Sequence, residues 1–388
     1  MAQSSNEAAG PQVTQQQVAQ ALSAIHDPDL GGDLISLGMV RDITIEQGDA
    51  GARVGVTIGL MAFADPSADV IGSRVTAAIR GIPGVALQAV KLEVGLPPSR
   101  LPNAGKLPGI AHVIGVGAGK GGVGKSTVAV NLAVSLARAG ARVGLLDADI
   151  YGPSVPIMMG LADVRPQVDE QRKIEPLFAH GVRFISMGNL IGRADAVVWR
   201  GPMIGRAVTQ LFDDVHWGEL DILVVDLPPG TGDIVLSLAQ SFPLSGAVVV
   251  ATPQDVAFAD VTRAVRMFEM LRVDVLGLIE NMAVFIAPDT GKRYEIFGPG
   301  RTQEHCNERG LALLGSLALD MAISPSSDAG HPIAASAPRS DSAIEFMAIA
   351  GRLGKALANT SLARSAQTDH SAFFGAAGGA APGAAPGA

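Results

Sequence analysis

Thiols are almost missing from this chain: its 388 residues include a single cysteine, Cys306. One thiol excludes an internal disulfide framework, so the fold has to be held by its apolar core. Aromatic residues are scarce as well, at 4%. No uninterrupted apolar window reaches the roughly 18 residues that a membrane-spanning helix needs, so no span is expected. Long basic runs are absent and the formal charge is −8, which argues against a grip on the phosphate backbone of nucleic acid. The opening MAQSSNEAAGPQVTQQQ has no charged segment followed by an apolar one, so no signal peptide is expected. Together these absences predict a soluble cytoplasmic protein.

What remains is plentiful material for a core, since 48% of residues are hydrophobic and only 17% charged. The length suits two or three domains at roughly 100–200 residues each. The chain also has 47 glycines and 24 prolines, as expected of an α/β protein with many turns. Residues 1–12 are small and polar and are expected to be a disordered tail. Residues 13–94 read as a small α+β domain. VTQQQVAQALSAI and SADVIGSRVTAAIRGI have helical spacing, MVRDITIEQGDAGARVGVTIGL is two strands about a Gly/Asp turn, and LQAVKLEV is a closing strand. Residues 95–110 carry four prolines among glycine and asparagine breakers and read as a linker.

From residue 111 to about 358 the pattern changes to alternating strands and helices. HVIGVGA, RVGLLDAD, VRFISM, DILVVDL, GAVVVAT and VLGLIENM are apolar on both faces. That favours a mostly parallel sheet covered by helices on both sides. SDSAIEFMAIAGRLGKAL is expected to be the last helix. Residues 359–388, ending in FFGAAGGAAPGAAPGA, read as a low-complexity tail.

GVGAGKGGVGKST lies between the strand HVIGV and the helix STVAVNLAVSLARA, the context a phosphate-binding loop requires. Gly119, Gly121, Gly122 and Gly124, with Lys120 and Val123 between them, let successive N–H groups converge on phosphate, and the helix dipole adds positive potential. Lys125 is expected to bridge the β- and γ-phosphates of ATP, Ser126 to ligate Mg²⁺, and Thr127 to bond the α-phosphate. Asp147 and Asp149 end one strand and Asp226 another, where open α/β sheets bind ligands. Asp226 and Asp147 are candidates for the Mg²⁺ shell and Asp149 for the group that orients or activates the attacking water. Each aspartate is alternatively a helix cap or turn residue. Asn281 in IENM is a candidate reader of the adenine edge or simply a strand-end turn former.

KGGVGKST, with a lysine ahead of the glycine pair, resembles the deviant Walker A loop of the ParA/MinD/nitrogenase-iron-protein ATPases. The resemblance implies that Lys120 reaches across a homodimer to the partner's nucleotide; a second lysine on the same phosphates is the alternative. DADIYGPSVPIMMG, VVWRGPM, WGELDILVVDLPPGTGD, TPQDVAFADVTRAVRMF, GLIENM and IFGPG together resemble the Mrp/ApbC family of iron–sulfur cluster carrier ATPases. HDPDLGGDLISLGMVRDI resembles the small iron–sulfur-assembly domain often fused in front. The resemblance spans roughly residues 13–358 and implies a P-loop fold. It further implies ATP and Mg²⁺ as cofactors, an iron–sulfur cluster as cargo, and apo iron–sulfur proteins or assembly factors as partners.

One part of that pattern is broken. Cluster-carrying members usually have a Cys-x-x-Cys after the ENM strand, because soft thiolates hold iron–sulfur clusters. Here Ala287 and Thr290 stand at those positions. The cysteine of the N-terminal turn is replaced by Asp65 in FADP, and Cys306 sits in the polar stretch TQEHCNERG. The expected activity is an ATPase in iron–sulfur cluster assembly or delivery. The alternatives are a nucleotide-switched scaffold without its own cluster and a ParA/MinD-like positioning ATPase.

Overall fold

The computed structural model describes residues 12–97, 109–149, 152–190, 212, 214–232, 235, 236, 240, 243–298 and 300–377. The tail 1–11, most of the linker (98–108), the VVWRGPM stretch and residues 378–388 lie outside the described residues.

The N-terminal unit opens with helix α1 (Gln15–Ser23), whose start is set by a reciprocal cap between Thr14 and Gln17. Strand β1 (Val40–Glu46) pairs antiparallel with β2 (Ala52–Leu60), and β3 (Val85–Val94) joins β2 in parallel through helix α2 (Ala68–Arg80). The result is a three-stranded sheet in the order β1-β2-β3. Alternation in β2 turns Val54, Val56 and Ile58 inward against Ile71, Val75 and Ile79 of α2 and Val18 and Leu22 of α1.

The second unit is built on an eight-stranded sheet. In chain order its strands are β4 (Ile110–Gly117), β5 (Val143–Asp147), β6 (Leu177–Ala179), β7 (Val182–Ser186), β8 (Leu220–Asp226), β9 (Gly246–Ala251), β10 (Val275–Glu280) and β13 (Leu313–Ser316). A two-stranded hairpin, β11 (Phe285–Ile286) and β12 (Arg293–Tyr294), stands apart from it. The sheet order is β13-β10-β9-β4-β8-β5-β7-β6, parallel throughout except for the edge pair β6–β7. Two separate apolar clusters cover its faces, one centred on the helix Lys125–Arg138 (α3) and the other on the helix Asp255–Met270. Sheet burial on both faces is why the strands carry no polar alternation. β6 is short, with no distinct apolar run to announce it, and β13 is four residues within the apolar stretch LALLGSLAL.

The last helix, Asp341–Ala377, runs well past the end expected near residue 358. From Lys355 to Phe374 the sequence contains neither glycine nor proline and is rich in alanine, so nothing stops the helix. The continuation is in use: Leu362 packs on the N-terminal core and Arg364 pairs with Asp274 at 2.6 Å. Residues 359–364 are therefore structural rather than part of a low-complexity tail.

Candidate nucleotide site

Strand β4 delivers the chain to a loop that turns tightly into α3. Gly122 (φ 79°) and Gly124 (φ 80°) make the turn in left-handed backbone, which L side chains resist. Gly119 is glycine for space, since a Cβ there would lie 2.2 Å from the Asp260 carbonyl oxygen. α3 begins at Lys125 with no side chain capping its first amides. Those N–H groups and the helix dipole make an anion cradle.

Three strand ends meet this cradle because β4 lies next to β8, and β8 next to β5, with all three pointing the same way. Asp147 and Asp226 are register partners at the ends of β5 and β8. The Lys125 side chain turns inward, 6% exposed, onto Asp226, and its Nζ lies 3.3 Å from Ser126 Oγ. Ser186 Oγ donates to Asp147 Oδ2 at 2.8 Å, and the Asp149 N–H donates to Asp147 Oδ1 at 3.1 Å. Burial, reinforced by the charge of Asp226, pushes the Asp147 carboxyl up to about 7. Burial raises Asp226 as well, against the pull of Lys125. Asp226 Oδ2 is buried with no hydrogen-bond partner among the described residues. An orphaned carboxylate oxygen near a serine hydroxyl fits a hard divalent cation, so Ser126, Asp147 and Asp226 suit Mg²⁺.

The remaining candidates fall around the same loop. Asp149 is half-buried just beyond Asp147, and Gly121 lies beside Pro229 of the PPGTG turn. Lys120 Nζ donates to Gln254 Oε1 at 3.1 Å. Gln254 belongs to the TPQDVAFAD string but was not singled out there. Asn281 Nδ2 donates to Val123 O at 2.9 Å, so the amide braces the phosphate loop and leaves Oδ1 for a ligand. Beside it opens a cavity of about 370 Å³ lined by Gly124, Thr127, Met158, Asn281, Met282 and Phe346. Its two methionines had no signal in the sequence, being ordinary apolar residues there.

The expected cluster positions are different in kind. Ala287 is buried in the hairpin turn, its N–H donating to Lys292 O at 2.9 Å, and Thr290 is exposed with its hydroxyl on Asp289. Asp65 is not exposed at a turn tip but pairs with Lys355 at 2.9 Å. Cys306 lies on the helix Thr302–Arg309, and it is 1% exposed and packed in the apolar core, not in polar surroundings. Burial and the charge of Glu280 push its thiol up, away from the thiolate that iron requires. The donors present do not make a cluster site.

Residues 109–354 match the ParA family of NUBPL iron-transfer P-loop NTPases. The chain belongs to that family. Residues 15–92 match the iron–sulfur cluster assembly protein family. An iron–sulfur cluster carrier protein of Deinococcus radiodurans is 48% identical over 334 residues, covering 86% of this chain and 93% of that one. A carrier of the same description from Synechocystis is 42% identical, covering 88% and 97%. Among solved structures, the nucleotide-binding protein of Archaeoglobus fulgidus in complex with ADP is 38% identical with a TM-score of 0.53, covering 58% of this chain and 89% of that one. The cell division ATPase MinD of Pyrococcus furiosus, at 21% identity and TM-score 0.50, covering 63% and 98%, shares the fold. The two family matches thus divide the chain between its units, the NTPase family on the second and the iron–sulfur cluster assembly family on the first. No helix among the described residues is long and apolar enough to cross a membrane.

Proposed function

We propose that this iron-transfer NTPase is a Mg²⁺-dependent ATP hydrolase, working as a cytoplasmic homodimer that serves iron–sulfur cluster delivery to apoproteins. The observation that carries the reading is the meeting of Lys125, Ser126, Asp147 and Asp226 at adjoining strand ends, with an orphaned carboxylate oxygen among them. On this reading ATP draws the Lys125 ammonium from Asp226 to the β- and γ-phosphates, and Thr127 meets the α-phosphate. The backbone of Gly119 through Gly124 wraps the phosphates while Asn281 and the neighbouring cavity take the nucleoside. Mg²⁺, held by Ser126 with Asp147 and Asp226, would neutralise phosphate charge. Asp149 takes a proton from the water whose oxygen attacks the γ-phosphorus as the bond to the bridging oxygen breaks. ADP and phosphate result. Lys120, parked on Gln254 within one chain, reaches the partner's nucleotide on closure and adds positive charge there.

Calorimetry on Lys125→Ala should show ATP binding at least tenfold weaker, about 1.4 kcal/mol. Equal affinity for wild type and variant would sink the site. Lys120→Ala should bind ATP nearly normally and lose hydrolysis, and wild-type turnover in that variant would remove the cross-dimer role. Asp149→Ala should accumulate an ATP-bound dimer.

A second reading, a nucleotide-switched scaffold that holds no cluster of its own, is favoured by Ala287, Thr290 and the buried Cys306. Alanine has no donor atom and threonine only a hard neutral hydroxyl. Anaerobic reconstitution with iron and sulfide separates the readings. A stable cluster absorbing near 400 nm, on the order of one per dimer and indifferent to Cys306→Ser, would exclude the scaffold.

A further inference from the structure

Lys355 is a cation for which the nucleotide site has no use. It lies on the last helix, 4% exposed. Its Nζ donates to Asp27 Oδ2 at 2.6 Å and Ser67 Oγ at 3.0 Å, and pairs with Asp65 Oδ2 at 2.9 Å. Asp27 is 1% and Asp65 9% exposed. Each carboxylate is aimed by its own loop. Asp27 Oδ1 accepts from the amides of Asp29 and Leu30, both at 2.9 Å, and Asp65 Oδ1 accepts from Ser67 N at 2.8 Å and Ser67 Oγ at 2.6 Å. The N-terminal unit therefore presents two preset, dehydrated anions, and the other unit supplies the cation.

The surfaces around this cluster are fitted to one another. A Cβ on Gly351 would lie 2.2 Å from the Ala64 carbonyl oxygen, and one on Gly354 would lie 2.8 Å from Ala62 Cβ. Two glycines three residues apart on one helix let the 62–67 loop rest on bare backbone. Phe63 of that loop is buried in the core under α3, while Ala358 of the helix is buried in the N-terminal core. The last helix also packs along α3, which carries Lys125 and Ser126.

We propose that Asp27, Asp65 and Lys355 form a latch that docks the N-terminal unit on the last helix, so that the two units move as one body and the 62–67 loop is covered rather than offered to a partner. Buried carboxylates left facing no cation are strongly unfavourable, so the latch fixes the docking register by making any misplaced seating costly. The N-terminal unit is thereby positioned, through one helix, on the helix that begins the phosphate loop.

Hydrogen exchange on the full chain tests this. In wild type, the amides of residues 62–67 that the helix covers should exchange as slowly as those of β2; exchange at the rate of an open loop would overturn the latch without any variant. In Lys355→Met the same amides should exchange at least tenfold faster, while residues 119–127 keep the wild-type rate. A folded Lys355→Met with wild-type exchange at 62–67 would equally overturn the proposal. Because the wild-type measurement stands alone, failure of the variant to fold leaves the latch still open to refutation.

Discussion

Among the described residues two lysines are buried, each in a cluster with two buried aspartates: Lys125 pairs with Asp226, whose register partner is Asp147, and Lys355 pairs with Asp27 and Asp65. Their surroundings differ. Around Lys355 the Oδ1 atoms are taken by backbone amides and Ser67, and Asp65 Oδ2, which has no hydrogen bond, still has the Lys355 ammonium at 2.9 Å. Around Lys125 one oxygen of Asp226 is left over, Asp147 is pushed up to about 7, and uncapped helix amides lie alongside. The first cluster has its cation seated between two carboxylates; the second, on the proposed function, is completed by an incoming anion and cation. Buried charge alone thus says little about function, and the unsatisfied remainder says more.

Removing each lysine should separate the two clusters. Lys355→Met should lower unfolding free energy by about 3–5 kcal/mol, as expected for stranding buried carboxylates, measured by the denaturant midpoint at unchanged slope. Lys125→Met should cost the nucleotide-free protein clearly less, because burial already raises Asp226, the carboxyl that loses its partner, and protonation relieves it. Comparable losses in the two variants would erase the distinction drawn here.

The hairpin offers a sharper contrast with the phosphate loop, since its backbone is in place and only the donors are missing. Ala287→Cys with Thr290→Cys should raise iron and sulfide content after anaerobic reconstitution several-fold over wild type. Unchanged content in the folded double variant would mean that the hairpin is not where this chain meets a cluster.

The last contrast is in pH dependence, where two buried groups have opposite signs. The folded value of Asp147, about 7, lies above its ordinary 3.8, so the folded state holds the extra proton between them. Its contribution to stability is full at low pH and is lost as pH rises through about 7. His112 is buried, donates from Nε2 to Pro97 O at 2.7 Å, and is pushed by burial below its ordinary 6.5. Its contribution is present above 6.5 and is lost as pH falls below 6.5 through the lower folded value. Denaturation of the nucleotide-free protein should show the first slope vanish in Asp147→Asn and the second in His112→Gln.

The nucleotide end was largely legible in the sequence because its parts are local. A strand, a glycine loop and a helix follow one another directly, and aspartates end apolar runs. The latch was not legible, since Lys355 and Asp27 are 328 positions apart and a lysine in a helical pattern reads as a solvated position. Cys306 was misread for a related reason. Its helix is polar nearly all round, so neighbours in sequence gave no hint that this one face points into the core. Asn281 was placed correctly at a strand end, but its bond to Val123 depends on β10 and β4 lying on either side of β9, which only the sheet order reveals.

The distance between the partners of the latch has a consequence during synthesis. The N-terminal unit emerges with Asp27 and Asp65 long before Lys355 exists, by 328 residues in the case of Asp27. At a translation rate of roughly 5–20 residues per second, that interval is about 16–66 s. For that time the newborn unit holds two carboxylates with no cation between them and the 62–67 loop bare. The last helix to be made is thus the one that closes the first unit to fold, and a nascent chain stalled before residue 355 would leave that surface open to whatever else is in reach.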